Sequence, residues 1–276
     1  MAGPLISVIV TTLNEAKHLR DLLESLAVQE PPFEVLVVDA GSNDGTVGIA
    51  NTFALEFPAF RVLDHPGSRG ESRNHGVQHA QGEFVAFVDG DCIANAFWLK
   101  TLRKRVAARR VLAGRSMQIG YWAFERLERV ELIRRGYDIT HPSSNLVYPR
   151  ADFLRIGGFD PRFITAEDID LNFRAVEDGM EISYVDQALI YHRARDSIGG
   201  FLRQAFWNGY GRKQLTLKHG RLWSEYSFRR MLTRQFGLWG FLRLGSAVLG
   251  YLRCKVREGP KQWASASVPL GRSVTT

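Results

Sequence analysis

The chain has 276 residues and a mass of 31.2 kDa, with 45% hydrophobic and 24% charged residues. Those proportions fit one large globular domain with an appendage and exclude a mostly disordered chain. The formal charge of +7 is unevenly spread: residues 1–190 hold 20 basic and 26 acidic side chains, residues 191–276 hold 16 and 3, so a body of net −6 adjoins a segment of net +13.

Ile6–Val10 is a β-branched run and reads as a buried strand. Leu19, Leu22, Leu23 and Leu26 follow at helical spacing. Glu34–Val38 predicts a second strand, ending in the turn-rich stretch from Asp39 to Thr46 that opens another helix. A short strand over Arg61–Leu63, a helix over Glu71–Ala80 and a strand over Phe84–Val88 continue the alternation. Strands apolar throughout, alternating with helices, predict an α/β fold with a mostly parallel sheet covered on both faces. Farther on, helices are expected over Ala94–Ala108, Phe124–Arg135, Ala151–Ile156 and Glu167–Glu177. Strands are expected over Val111–Met117, Asn145–Tyr148, Ile182–Val185 and Leu189–Tyr191. From Ser197 the pattern turns helical, aromatic and basic, and Ala264–Thr276 reads as a loose tail rich in Ser and Thr.

Asp89-Gly90-Asp91 directly follows a predicted buried strand, where parallel α/β sheets open their ligand crevice. Two carboxylates one residue apart can share a hard divalent cation and a diphosphate, although the same triplet also serves as an ordinary polar turn. Asp39 ends another strand at the same edge and is suited to accept the imide N–H of a uracil-like base, while Asp44 is suited to cap the next helix. Arg73 lies in a predicted helix whose start can meet phosphate, or can simply be solvated. Glu167, Asp168 and Asp170 open a helix, where acids are favourable with the helix dipole in any case. The functional reading makes Asp168 the base that removes the acceptor proton in a single displacement, which inverts the sugar's anomeric configuration. His192 follows a late strand and can complete a metal shell as neutral imidazole. No GxxxxGK run occurs, and the first strand lacks a following GxGxxG, which counts against P-loop and nicotinamide-dependent chemistry.

In order, SVIVTTLNEAKHLRDLLESL, VLVVDAGSNDGT, RGESRNHGVQHAQGEFVAFVDGDC and GGFDPRFITAEDIDLNFRA resemble the family-2 glycosyltransferases with the GT-A fold, over most of residues 5–178. That resemblance implies a nucleotide diphosphate sugar, UDP- or GDP-linked, and Mn²⁺ or Mg²⁺ as cofactor. It implies that Thr12, Asn14, Glu15, Asp39 and Arg73 surround the nucleotide, with Asp89 and Gly90 near the ribose or diphosphate. By the same resemblance Asp91 and His192 are metal ligands and Asp168 is the base. Trp122, Asn145 and Glu167 are assigned to the acceptor side. Two departures stand out. The second strand ends Asp-Ala-Gly-Ser where the family more often has Asp-Asp-Gly-Ser. The Gln-x-x-Arg-Trp signature of processive synthases is absent near Gln204.

The expected organisation is a GT-A domain over residues 1–192, a basic aromatic helical segment over 193–263 and a tail over 264–276. Aromatics interleaved with Arg and Lys in that segment suit an interfacial helix on an anionic membrane, or packing on the body or on a second subunit. The apolar run Leu244–Leu252, bracketed by Arg243 and Arg253, is too short to span a bilayer. An acidic body disfavours a nucleic-acid partner. Two cysteines and a start without a basic leader suit a reducing compartment, so the expected place is the cytoplasmic face of the cell membrane. The expected acceptor is a lipid-linked or glycan hydroxyl or phosphate. Two other readings compete with this one. A sugar nucleotidyltransferase is disfavoured by the lack of a Gly-rich loop after the first strand. A non-catalytic nucleotide-sugar binding or membrane-docking module has no need of a base.

Overall fold

The apolar runs of the first ninety residues become adjacent strands: β1 (Ile6–Thr12), β2 (Phe33–Asp39), β3 (Phe60–Asp64) and β4 (Phe84–Asp89). β1 and β2 are buried at every position, because helices cover both faces. The computed structural model describes residues 5–120, 130–193, 197–220, 222 and 237–263.

Later strands extend this sheet. They are β5 (Cys92–Ala94), β6 (Arg110–Ile119), β9 (Leu146–Pro149) and β10 (Glu181–Arg193), while β7 (Ile133–Arg134) and β8 (Tyr137–Asp138) form a separate two-stranded ribbon. The sheet order is β3-β2-β1-β4-β9-β6-β10-β5. Pairings are parallel except at β4–β9, β6–β9 and β10–β5. Side chains alternate between two cores: Val8, Val10, Val35 and Val37 on one face, Ile9, Leu36, Val38 and Phe87 on the other. Helices α1 (Leu19–Ala27) and α4 (Trp98–Arg103) bury leucines and Trp98 in the first core, beside the short α2 (Thr46–Thr52). α3 (Arg69–His79), α5 (Arg150–Arg155) and α6 (Glu167–Glu177) cover the second.

Three sequence expectations change. Residues 92–94 form an edge strand on β10, so the helix expected over Ala94–Ala108 shrinks to Trp98–Arg103. The helix expected over Phe124–Arg135 lies partly outside the described residues, and its end forms β7 of the ribbon. The two late strand candidates are one strand, whose register on β6 shifts between Val185 and Leu189.

Among the described residues beyond β10 are two long helices, α7 (Ile198–His219) and α8 (Leu238–Arg257). α7 is fastened to α6 by charge. Lys218 Nζ lies 2.7 Å from Asp160 Oδ2 and 2.6 Å from Asp170 Oδ1, and His219 Nε2 lies 2.7 Å from the same Asp170 oxygen. Arg174 holds the other Asp170 oxygen at 2.8 Å. Burial works to raise the Asp170 pKa, but Arg174, His219 and Lys218 outweigh it and hold the carboxyl far below the ordinary range.

Candidate active site

The loops after β1 and β2 are laced side chain to backbone at the carboxyl edge of the sheet. The Thr12 hydroxyl donates to Asp39 Oδ1 at 3.0 Å, from the position level with it in the parallel register. Asp39 also accepts the Gly41 and Ser42 N–H groups at 3.0 and 2.7 Å and the Ser42 hydroxyl at 2.6 Å. Four donors fill its two oxygens. Asp39 therefore builds this loop, and a base imide has to displace one of those bonds to reach it. Asn14, in the left-handed region at φ 56°, donates its N–H to Ser42 Oγ and accepts the Asn43 N–H. Glu15 N–H donates to Thr46 Oγ1 at 2.9 Å. Asp44 accepts from the N–H and hydroxyl of Thr46, the first residue of α2, and from the Ala16 N–H.

β4 delivers Asp89 beside this pair of loops. Gly90 donates its N–H to Thr11 O, and a Cβ on it would lie 3.0 Å from Thr12 Cγ2 and 3.2 Å from Glu15 Cγ, so the turn packs closely on the β1 loop. The chain then doubles into β5, which runs antiparallel to β10 with Cys92 opposite His192. That pairing sets Asp91 Oδ1 3.2 Å from His192 Nε2, both partly exposed. Gln118, level with His192 in the parallel β6–β10 register, puts its amide nitrogen 3.4 Å from His192 Nδ1. Turning that amide over serves either imidazole tautomer. Among the described residues, Asp91, Cys92 and His192 are a group whose ligand atoms lie within 4.8 Å of one another. The Cys92 thiol is buried, and burial, with Asp89 and Asp91 beside it, pushes its pKa well up. The usable donors are thus a carboxylate oxygen and an imidazole nitrogen, a set that suits Mn²⁺ or Mg²⁺ better than a thiolate-seeking metal.

Arg73 joins this corner to the start of α6. It is fully buried, with one terminal nitrogen 2.6 Å from Asp89 Oδ1 and the other 2.8 Å from Glu167 Oε1. Its guanidinium also lies over the Phe159 ring at 5.3 Å. Burial works to raise the Asp89 pKa, yet Arg73, Arg69 and His192 hold it at about 2, so Asp89 is an anion at any working pH. The neighbouring Asp168 behaves in the opposite way. Burial first, then the Glu167 charge, raises its pKa to about 6, against Arg73 and the N–H groups of Ile169 and Ser143 that bond its two oxygens. A carboxylate poised there can take a proton near neutrality.

Two acceptor-side assignments are corrected. Glu167 is buried and turned inward on Arg73. Asn145 is fully buried: its oxygen accepts Trp98 Nε1–H at 2.9 Å and its nitrogen donates to the Arg115 and Ala188 carbonyls, each at 2.9 Å. Its amide thus joins α4, β6 and β10 and has no face toward a ligand. Trp122 lies outside the described residues.

The family model for "Glycosyl transferase family 2" matches residues 7–156, from β1 through α5. The chain belongs to that glycosyltransferase family. A second model, "Glycosyl transferase family group 2", matches residues 135–261. Glycosyltransferase AglE of Haloferax volcanii is 29% identical over 227 residues, covering 77% of this chain and 74% of AglE. The pre-mycofactocin glycosyltransferase of Mycobacterium tuberculosis is 28% identical over 222 residues, and the match spans 46% of that longer protein. Among solved structures, the Staphylococcus aureus TarS fragment 1–349 in complex with UDP superposes with a TM-score of 0.57 at 27% identity, over 73% of this chain and 63% of that one. The mannosyltransferase PcManGT from Pyrobaculum calidifontis, in complex with GDP-Man and Mn²⁺, gives a TM-score of 0.64 over 93% of this chain and 76% of that one, and at 17% identity shares the fold alone. The fold is the GT-A fold expected from the sequence motifs.

Of the predicted site residues, this glycosyltransferase brings Thr12, Asn14, Glu15 and Asp39 into one loop floor and Asp89, Gly90, Asp91 and His192 into the adjoining corner. Asp168 is joined to that corner through Glu167 and Arg73. Sequence reasoning missed Ser42, Ser143, Gln118 and Arg69. Ser42 sits in the turn motif and was within reach of it. Arg69 opens the quoted motif one turn before Arg73 and was within reach too, whereas Ser143 and Gln118 act across the fold and carry no local signal.

Proposed function

We propose that the protein is an inverting, metal-dependent glycosyltransferase that moves a sugar from a UDP- or GDP-linked donor to a hydroxyl or phosphate of a lipid-linked or glycan acceptor at a membrane surface. The observation that carries this is the Arg73 bridge. One buried guanidinium joins Asp89, at the donor edge of the sheet, to the residue beside Asp168, so a carboxylate poised at about 6 adjoins the acidic corner. UDP on the TarS fragment, and GDP-Man with Mn²⁺ on PcManGT, support the donor class.

In this reading the acceptor O–H proton passes to the Asp168 carboxylate as the acceptor oxygen bonds to the anomeric carbon. The bond from that carbon to the diphosphate oxygen breaks, and the nucleoside diphosphate leaves with the electron pair. One displacement inverts the configuration. Asp91 and His192 would hold Mn²⁺ or Mg²⁺, which neutralises diphosphate charge when bound. Asp89, kept anionic by Arg73, orients the donor, and the β1 and β2 loops receive the nucleoside.

A thermal-shift screen of UDP- and GDP-sugars with and without Mn²⁺ tests the donor half, since a ligand of the native state raises its stability. A metal-dependent rise with at least one donor is expected. No rise with any of them removes the proposal.

A further inference from the structure

The face of α8 turned toward α7 is fixed by backbone contact. A Cβ on Gly209 would lie 1.8 Å from Ala247 O, and one on Gly250 1.8 Å from Phe206 O, so no side chain can separate the helices there. Ser246 Oγ donates to Leu202 O at 2.7 Å, and Gly240, Gly250 and Cys254 are buried on the same side. The opposite face is thereby presented outward. At 3.6 residues per turn, Leu238, Phe241, Leu242, Leu249, Leu252 and Val256 fall on one stripe. All are exposed, Phe241 and Leu249 by 63% and Val256 by 82%. Arg253 lies on one margin of the stripe and Lys255 on the other, both exposed. The helix holds no acidic residue. Glu258, which follows it, is turned inward to Tyr210, Gln214 and Trp263. Among the described residues no helix is long and apolar enough to cross a membrane.

We infer that the outward stripe of α8 is a docking face for an anionic phospholipid surface, which rests on the membrane-surface setting proposed above but not on the donor chemistry. An apolar arc with cations on both margins and no anion matches an interface of acyl chains beneath negative headgroups. The same chemistry disfavours a second copy. A two-fold contact would set this patch against itself, so that Arg253 and Lys255 on its margins would meet a facing helix with no acid to pair them.

Flotation of the full chain with vesicles of phosphatidylcholine, with and without phosphatidylglycerol, tests the inference. The wild type is expected to float with the anionic vesicles and to do so less as salt is raised. Leu249→Asp with Leu252→Asp, and separately Arg253→Glu with Lys255→Glu, are each expected to lower binding by about tenfold or more. All four side chains are exposed, so UDP-sugar binding in solution is expected to match wild type, which verifies the fold. Failure of the wild type to float overturns the docking face, as does flotation of both double variants at the wild-type level. Conversion of a solution dimer to a monomer by the Leu pair, without any vesicle binding, overturns it in favour of a self-interface. Donor binding in the same samples separates this outcome from failure of the enzymatic reading.

Discussion

Asp168 is set by opposed influences, and their balance has consequences for rate and stability. Burial and Glu167 raise its pKa to about 6, while Arg73 and two backbone N–H groups resist. A general base works ionised, so transfer is expected to rise with pH through about 6 and then level off. Glu167→Gln removes a like charge and leaves Arg73 less neutralised. Both changes lower the Asp168 pKa, so the ascending limb of the kcat/KM profile should move to lower pH. The stability sign is the reverse of a paired carboxylate. A folded pKa above the unfolded one makes Asp168 favourable at low pH, and that contribution is lost as pH rises through about 6. Asp168→Asn should therefore raise Tm near neutrality, by a free energy on the order of 1–2 kcal/mol, with the gain vanishing in acid. Asn145→Ala should destabilise by about 1–3 kcal/mol, by removing the acceptor of the buried Trp98 Nε1–H and the donor to the Arg115 and Ala188 carbonyls, while the acceptor KM is unchanged. The Glu-Asp pair was legible in the sequence as a helix start, and Asp168 as the candidate for a base. The inward turn of Glu167 was not, because its partner Arg73 is 94 residues away.

At the scale of elements, the uniformly apolar strands β1, β2 and β4 were readable because a strand buried on both faces needs no alternation. The α6 boundaries were readable too, since Gly179 and the acidic first turn mark its ends. Cys92 and Ile93 carried no predicted element, and Ala94 was placed at the start of a helix, where the structure has a strand. Their strand character comes from β10, about a hundred residues later, and no local pattern encodes a partner so distant. The same edge pairing brings Asp91 to His192. Asp91→Ala is expected to abolish the metal-dependent thermal shift produced by a donor sugar, and His192→Ala to weaken metal affinity by at least about tenfold. An unchanged shift in Asp91→Ala would move the metal elsewhere.

Across the whole molecule, the uneven charge visible in the sequence takes structural form. The net-negative body uses buried acids to hold its parts together, with Asp160 and Asp170 clasping Lys218 and His219 of α7. Because Asp170 is held far below its ordinary pKa, its contribution is present at neutral pH and is lost as pH falls below the ordinary carboxylate range and through the folded value. Asp170→Ala should destabilise the fold by about 3–5 kcal/mol, since it strands buried cations, and should flatten the acid side of a Tm-against-pH curve. The proposed transfer chemistry is run by Asp168 beside a donor held at the Asp89–Asp91 corner. Its most direct test is single-turnover transfer from the donor identified by thermal shift, with Mn²⁺ present, comparing wild type with Asp168→Asn while donor affinity is followed in the same samples. The expected result is unchanged donor affinity with a rate lowered by about 10²- to 10⁴-fold. Near-wild-type transfer by Asp168→Asn would contradict the assignment of the base.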